Sequence, residues 1–539
     1  MPRLVYNISS SIAHIYRAPI VIRPSLHRRA RAAATFAAIA LALPLSTTLA
    51  AQRATRPQPL AGLDAYIEHA MHDWGVPGLA IAIVKNDSVV FAKGYGVREV
   101  GKPDKVDTHT LFAIGSNTKA FTSALIGSLV DDGTMRWDAP VTTYLPWFQM
   151  YDPWVTRELT IRDALSHRSG LGRRGDLLWY GSAYSRDDVL HRIRHLAPNS
   201  SFRSQYGYSN IMVLAAGQAA AAAAGKTWDQ LISERIFRPL HMTESNTSVA
   251  TLAGLPDVAT PHAIDKGVPT PIPWRNIDNI GPAGSINSSV TDMAQWLRLQ
   301  LAGGTLNGTT IVKPATLEET HSPQTIIPSR PDSLFPSEHF TDYGFGWVLQ
   351  DYRGRKLVWH NGGIDGMLSE VRLVPEEKLG IVILTNGEGH ALNPALAYRI
   401  MDAYMGAPAR DWSTIFLTRF KQAQAKEAAA EQAVIAARVP NTTPSLPLDK
   451  YTGTYSDTLY GDAHVTLEHG KLVLRYGPSF TGNLEHWNYD TFRVTWRDAR
   501  QGSAFVTFTL DARGKTDGMD VQGITTFHAA PPAPASSPR

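Results

Sequence analysis

The sequence predicts an α/β chain in two parts. The first is an antiparallel sheet flanked by helices and accompanied by an all-helical subdomain; the second is a small antiparallel β unit. Three observations predict this. Short apolar, strand-like runs stand early, at residues 79–84 and 89–91, and again late, at 371–374 and 381–384. The segment between these pairs has helical patterning for most of its length. After residue 448 the pattern becomes short alternating strands.

The early pair reads as a hairpin. Residues 79–84 are Leu-Ala-Ile-Ala-Ile-Val, residues 85–88 are polar, and Val89, Val90 and Phe91 resume the apolar run. The late pair is joined by a turn at 375–380. Strands at both ends with helices between them suggest one sheet completed from both sides of a domain spanning about 60–405. Residues 411–438, within a connecting segment at 406–447, are rich in Ala, Gln, Lys and Glu and read as a connecting helix. A Pro/Thr/Ser linker follows at 440–447. In 448–528, Val465 and Leu467, Phe492, Val494 and Trp496, and Val506, Phe508 and Leu510 alternate with their neighbours, with a turn at His469-Gly470. This predicts a small antiparallel barrel or sandwich. The final stretch, 529–539, is rich in Pro, Ala and Ser and reads as a disordered tail.

The first fifty residues have the order of a secretory leader. His27, Arg28, Arg29 and Arg31 are followed by an apolar run at 32–45 and a small-residue site ending at Ala50. The run is shorter than the roughly 20 residues needed to cross a bilayer, so no stable transmembrane anchor is expected and the mature chain is expected outside the cytoplasm, periplasmic or secreted. Six arginines and no acid lie in this leader. The chain is +4 overall, so the remainder is acidic by two charges. The basic pI therefore gives no reason to expect nucleic acid as a partner. The absence of cysteine excludes thiol nucleophiles, disulfides and Cys-ligated metals.

Ser116-Asn117-Thr118-Lys119 opens a helical pattern that should stop near Gly133. The spacing puts Lys119 one turn beyond Ser116 on the same face. A serine hydroxyl is a weak nucleophile until a base takes its proton, and a lysine serves if burial lowers its pKa. Tyr208-Ser209-Asn210 precedes a helical pattern at 211–224. Its tyrosine could relay a proton, and its asparagine could bond both a lysine and a substrate; taken alone, the motif reads first as a structural turn. His360-Asn361-Gly362-Gly363 follows a strand-like run. Its glycines would let a strand edge approach a substrate, and the Gly363 N–H could pair with that of Ser116 as an oxyanion hole. His191 and His195 have metal-like spacing, but no third ligand or intervening glutamate accompanies them, so no metal is expected.

Taken in order and spacing, Ser-x-x-Lys, Tyr-x-Asn and His-x-Gly resemble the penicillin-binding-protein and class C β-lactamase superfamily of serine hydrolases. Leu159 to Leu171, Pro239-Leu240-His241-Met242, and Ala283-Gly284-Ser285 followed by Ser289 to Ala294 are similar to further family segments, with Ser289 and Asp292 expected to form a capping box. The resemblance covers about 60–405, and the C-terminal part resembles the lipocalin-like barrel of some members.

The resemblance implies Ser116, Lys119 and Tyr208 as catalytic residues. It also implies Asn210, His360, Asn361 and Gly362 as substrate-binding residues, and Ser116 and Gly363 as the oxyanion hole. No cofactor is implied, His167 is structural, and the substrate is a small molecule or peptide. His360 stands where lactamases and transpeptidases usually have lysine, and Asn361 replaces the usual small hydroxyl or glycine. These departures weaken the case for β-lactams and leave three functions open. They are acyl-enzyme hydrolysis of an amide, ester or β-lactam; an esterase or peptidase acting on D-residue-containing or linearised cyclic peptides; and non-catalytic penicillin or cell-wall binding. The oligomeric state stays open.

Overall fold

The structure, a computed structural model, describes residues 58–329 and 332–530. The leader expected at 1–50 and the tail residues from 531 onward lie outside them. The central element is an eight-stranded antiparallel sheet. In chain order the helices and strands that build and cover it are α1 (Leu63–Trp74), β1 (Gly78–Lys85), β2 (Ser88–Gly96), α2 (Thr118–Asp131), α3 (Asn210–Ala224), α4 (Val290–Leu301), β3 (Thr325–Ile326), β4 (Thr341–Tyr343), β5 (Val348–Tyr352), β6 (Arg355–Ile364), β7 (Met367–Val374), β8 (Leu379–Thr385), α5 (Leu392–Tyr404) and α6 (Trp412–Ala436). The strand order is β2-β1-β8-β7-β6-β5-β4-β3, so the first hairpin pairs directly with the last strand, Ile81 opposite Ile383. The early and late apolar runs therefore lie side by side and form one half of the sheet, with β2 at its edge.

β1 is buried from Gly78 to Val84 because both faces are covered, which is why it reads as a continuous apolar run rather than an alternating one. Leu79, Ile81 and Ile83 pack with Ile67 and Met71 of α1, Leu396 of α5 and Trp412 of α6. Ala80, Ala82 and Val84 face the opposite way, into the core that contains Leu297 of α4, Phe121 and Leu125 of α2, and Leu214 of α3. Burying each such Leu or Ile side chain contributes about 1.5–3 kcal/mol.

α6 does more than connect. Trp412 and Phe416 are buried in the first core, and Trp412 Nε1 donates to Asp402 Oδ2 at 2.8 Å. Its far end pairs Glu431 with Arg493 of the C-terminal unit. That unit is a closed antiparallel barrel of eight strands: β9 (Gly453–Asp457), β10 (Gly461–Glu468), β11 (Lys471–Tyr476), β12 (Phe480–Asn488), β13 (Thr491–Trp496), β14 (Ser503–Leu510), β15 (Thr516–Val521) and β16 (Thr525–Ala529). Tyr455 opposite Ala529 closes the ring. The inward residues of the alternating runs, Val465, Phe492, Val494, Trp496, Val506 and Phe508, fill it. This settles barrel over sandwich, and its core is continuous with that of the helical side.

At the start of α4 the expected capping box is half formed. Ser289 Oγ accepts from Asp292 N at 3.2 Å. The Asp292 carboxylate turns instead to the backbone N–H groups of Glu244 and Ser245 and to Ser245 Oγ. Three donors from a neighbouring loop outcompete the single N–H of Ser289. Among the described residues, no helix is long and apolar enough to cross a membrane.

Candidate active site

Ser116 sits in a 3₁₀ turn, Gly115–Asn117, that leads into α2. Gly115 takes φ +52°, and a Cβ there would lie 2.7 Å from Gly363 N, so only glycine lets the nucleophile turn meet β6 so closely. Gly362 has the same constraint from the other side: its Cβ would fall 1.9 Å from the Ile114 carbonyl oxygen. β7 locks the approach. Ser369 Oγ donates to Ile114 O at 2.7 Å and accepts from Asn117 Nδ2 at 2.7 Å. The backbone N–H groups of Ser116 and Gly363 thus belong to two segments held in direct contact.

α2 carries Lys119 into the core with no exposed surface. Its Nζ lies 2.9 Å from Ser116 Oγ, 2.8 Å from Asn210 Oδ1 and 2.7 Å from Ala283 O. None of these partners is a carboxylate. Burial, reinforced by the nearby Arg173 guanidinium and opposed by Asp176, holds the Lys119 amine well below its usual range. A neutral amine has two N–H donors and one lone pair. In that neutral form the two carbonyl oxygens would take the donors and leave the lone pair toward the Ser116 hydroxyl.

α3 begins at Asn210, and the loop before it brings Tyr208 Oη to 2.7 Å from Ser116 Oγ. Burial pushes the Tyr208 phenol up, so it stays protonated. Its ring lies 4.8 Å from Lys119 Nζ. Asn210 is fixed in one orientation: Oδ1 faces Lys119 while Nδ2 donates to Asp176 Oδ1 at 3.3 Å. Asp176 also accepts from Trp179 Nε1 at 2.8 Å and pairs with Arg173 Nε at 2.9 Å.

His360 lies on β6, buried, with its ring 6.3 Å from that of Tyr208. Its Nδ1 donates to Asn361 O at 2.6 Å, which fixes the tautomer, and its Nε2 accepts from Tyr343 Oη at 2.9 Å. Burial, with the Lys119 charge, drops its pKa to about 3. Both nitrogens are engaged within the protein, and the ring is neutral at physiological pH. Asn361, half-buried, sits opposite Glu370 and Gly362 opposite Ser369. The structure therefore gathers Ser116, Lys119, Tyr208, Asn210, His360, Gly362 and Gly363 into one locus.

His167 accepts from Ser209 N at 3.1 Å through Nδ1, and its ring packs at a tilt of 43° against Tyr208 with centroids 4.4 Å apart, bracing that ring. His191 stacks on Trp147 and takes no part. Arg173, Asp176 and Tyr343 belong to the site but escaped the sequence reading. Each is a single residue in a loop or short strand whose role comes from folding, with no spacing to mark it.

A buried amine, a hydroxyl and a protonated phenol meeting beside the N–H groups of a 3₁₀ turn and a neighbouring strand define a serine hydrolase. Residues 63–405 match the beta-lactamase family and residues 437–531 match a domain of unknown function, DUF3471. The chain belongs to the beta-lactamase family. It is 30% identical over 415 residues to an unguisins hydrolase of Aspergillus campestris, covering 73% of this chain and 75% of that one. It is 29% identical over 480 residues to another from Aspergillus violaceofuscus, covering 81% and 83%. Among solved structures, the octameric penicillin-binding protein homologue from Pyrococcus abyssi shares the fold. That likeness has a TM-score of 0.58 and 21% identity, and covers 87% of this chain and 99% of that one.

Proposed function

We propose that this chain hydrolyses an amide or ester bond through an acyl-enzyme on Ser116, with peptides or esters rather than β-lactams as substrates. The observation that carries this is the position of Ser116 Oγ between Lys119 Nζ and Tyr208 Oη. Neutral Lys119 accepts the Ser116 proton as Oγ attacks the carbonyl, and the Ser116 and Gly363 N–H groups stabilise the oxyanion. Tyr208, held protonated, passes its proton to the leaving group and is reprotonated from Lys119. Water then attacks the acyl-enzyme with Lys119 as base. Asn210 orients the substrate and the amine; His360, Asn361 and Gly362 shape the opposing strand.

The substrate preference rests on His360. A neutral imidazole with both nitrogens engaged offers no cation for the carboxylate that a lysine there would read. The two relatives named unguisins hydrolases support hydrolysis as the reaction. The basic-apolar-small order of the first fifty residues supports export.

The test is intact mass of the purified chain after exposure to an activated ester and, separately, to a penicillin, with Ser116→Ala alongside. Ser116-dependent ester turnover or adduct, with a weaker penicillin reaction, is the expected result. The variant should lose at least about 10³-fold in acylation rate. A Ser116→Ala chain that turns over the ester like wild type overturns the assignment.

A further inference from the structure

The turn joining β6 to β7, Asp365-Gly366, lies just beyond the Gly363 N–H. Its aspartate is buried, 3% exposed, in a set of donors drawn from two domains. Arg275 Nε donates to Asp365 Oδ2 at 2.5 Å and Tyr180 Oη to Oδ1 at 2.8 Å, both from the hydrolase domain. Arg500 Nη1, from the barrel, donates to Oδ2 at 2.9 Å. Gln501 Nε2, also from the barrel, donates to Tyr180 Oη at 3.2 Å. Arg500 is itself aligned by Asp498, through Nε at 2.7 Å and Nη2 at 2.5 Å. Arg275 lies 4.6 Å over the Tyr180 ring and reaches Ser479 Oγ of the barrel at 3.4 Å.

The hairpin is therefore pinned at two points. At the nucleophile end, Ser369 bonds Ile114 and Asn117. At the turn, Asp365 is held by the arginines, and Gly366 N donates to Glu388 Oε2 at 2.9 Å. Gly363 lies between the pins. An oxyanion donor works only where its N–H meets the developing charge, and a misplacement near 1 Å costs about 10²-fold in rate. Charge-assisted hydrogen bonds inside a buried cluster are the contacts stiff enough to hold such a position.

We infer that Arg500, supported by Gln501, is a positioning residue for acylation: the C-terminal barrel fixes the hairpin that carries the oxyanion N–H, and so belongs to the catalytic apparatus. This rests on the acyl-enzyme reading above.

The experiment uses the full chain with a p-nitrophenyl ester. It compares wild type, Arg500→Met, Arg500→Lys and Gln501→Leu with Arg192→Met. Arg192 makes a barrel contact away from the turn, donating to Leu459 O at 2.9 Å. Arg500→Met should lower kcat about 10- to 100-fold with KM changed less than about threefold. Arg500→Lys should recover part of the loss, Gln501→Leu should cost about threefold in kcat, and Arg192→Met should stay within about twofold of wild type. If Arg500→Met does not fold, reduced kcat at unchanged KM in Arg500→Lys and Gln501→Leu supports the inference; wild-type kcat in both overturns it. An Arg192→Met loss equal to that of Arg500→Met also overturns it, since loosening the interface anywhere would then suffice. A wild-type chain without Ser116-dependent acylation takes down the proposed function as well. Normal wild-type acylation with Arg500→Met unchanged takes down this inference alone.

Discussion

β7 passes between two buried charges that the fold treats in opposite ways. On one side, Ser369 reaches the nucleophile turn, beyond which Lys119 lies buried with only neutral hydrogen-bond partners. On the other, Glu370 and Arg372, both 2% exposed, pair at 2.7 Å, and the guanidinium lies 4.3 Å over the Tyr398 ring of α5. Burying an ion costs several kcal/mol, which a well-placed counter-ion offsets. Arg372 has that counter-ion, and its charge holds the sheet to α5. Lys119 has none, so burial holds its pKa well below the usual range, which is the condition for the base role proposed for it. On the proposed mechanism, the same cost of burial yields structure where the charge is paired and chemistry where it is not.

The largest effect that can break this comparison is at Lys119. Lys119→Met should lower kcat/KM about 10³-fold, the usual range for loss of a general base. Acylation by wild type should rise with pH through the depressed Lys119 pKa, because only the neutral amine accepts the Ser116 proton. Stability carries the same signature. Between the folded pKa and the ordinary 10.5, the unfolded chain binds a proton that the folded chain does not, so wild-type stability climbs with pH across that window. Lys119→Met lacks that climb, and its stability deficit against wild type should widen as pH rises. Denaturant titrations at several pH values measure this. A deficit independent of pH means that Lys119 is charged in the folded protein.

The second effect is smaller and opposite in kind. Arg372→Met leaves Glu370 buried without its partner and should cost about 3–5 kcal/mol of stability. Activity per folded molecule should stay within about twofold. Arg372 also holds down the neighbouring Glu338, whose carboxyl burial already pushes up to about 8. Activity lost in proportion to stability is not the expected outcome: kcat falling at full foldedness would show that the paired charge also serves the reaction.

What the sequence made legible follows the same division. Ser116 and Lys119 share one helix face, and that local geometry can be read from spacing alone. Tyr208 and Asn210 are marked by their position at the start of α3, and Gly362 by a close approach that only glycine permits. The early and late strands were legible because β1 and β8 are apolar runs of strand length and β7 ends in the mostly apolar 371–374. Asp176, which orients Asn210, and Tyr343, which bonds His360, could not be found that way, since the contacts joining them cross between loops and strands distant in sequence. The buried start of α6 was hidden for a related reason. Its Ala-rich, charged composition describes the exposed later turns, while Trp412 and Phe416 are buried and Ile415, Leu417 and Phe420 pack against the core from the first turns.

The smallest effect sharpens the neutral side of the comparison. Tyr343→Phe removes the hydroxyl that donates to His360 Nε2, leaving a buried ring nitrogen unsatisfied, at a cost of about 1–3 kcal/mol. The rate should fall less than about fivefold, since Tyr343 touches neither Ser116 nor Lys119. His360 should remain neutral well into the acid range, because burial and not the phenol sets its pKa near 3. Nitrogen NMR of the imidazole across pH 4–7 reads this directly. A His360 that protonates near pH 6 in the variant would mean that the tyrosine, not desolvation, keeps it uncharged. The rule drawn from Lys119 would then not extend to its neighbour, and a carboxylate-binding cation would be one substitution away.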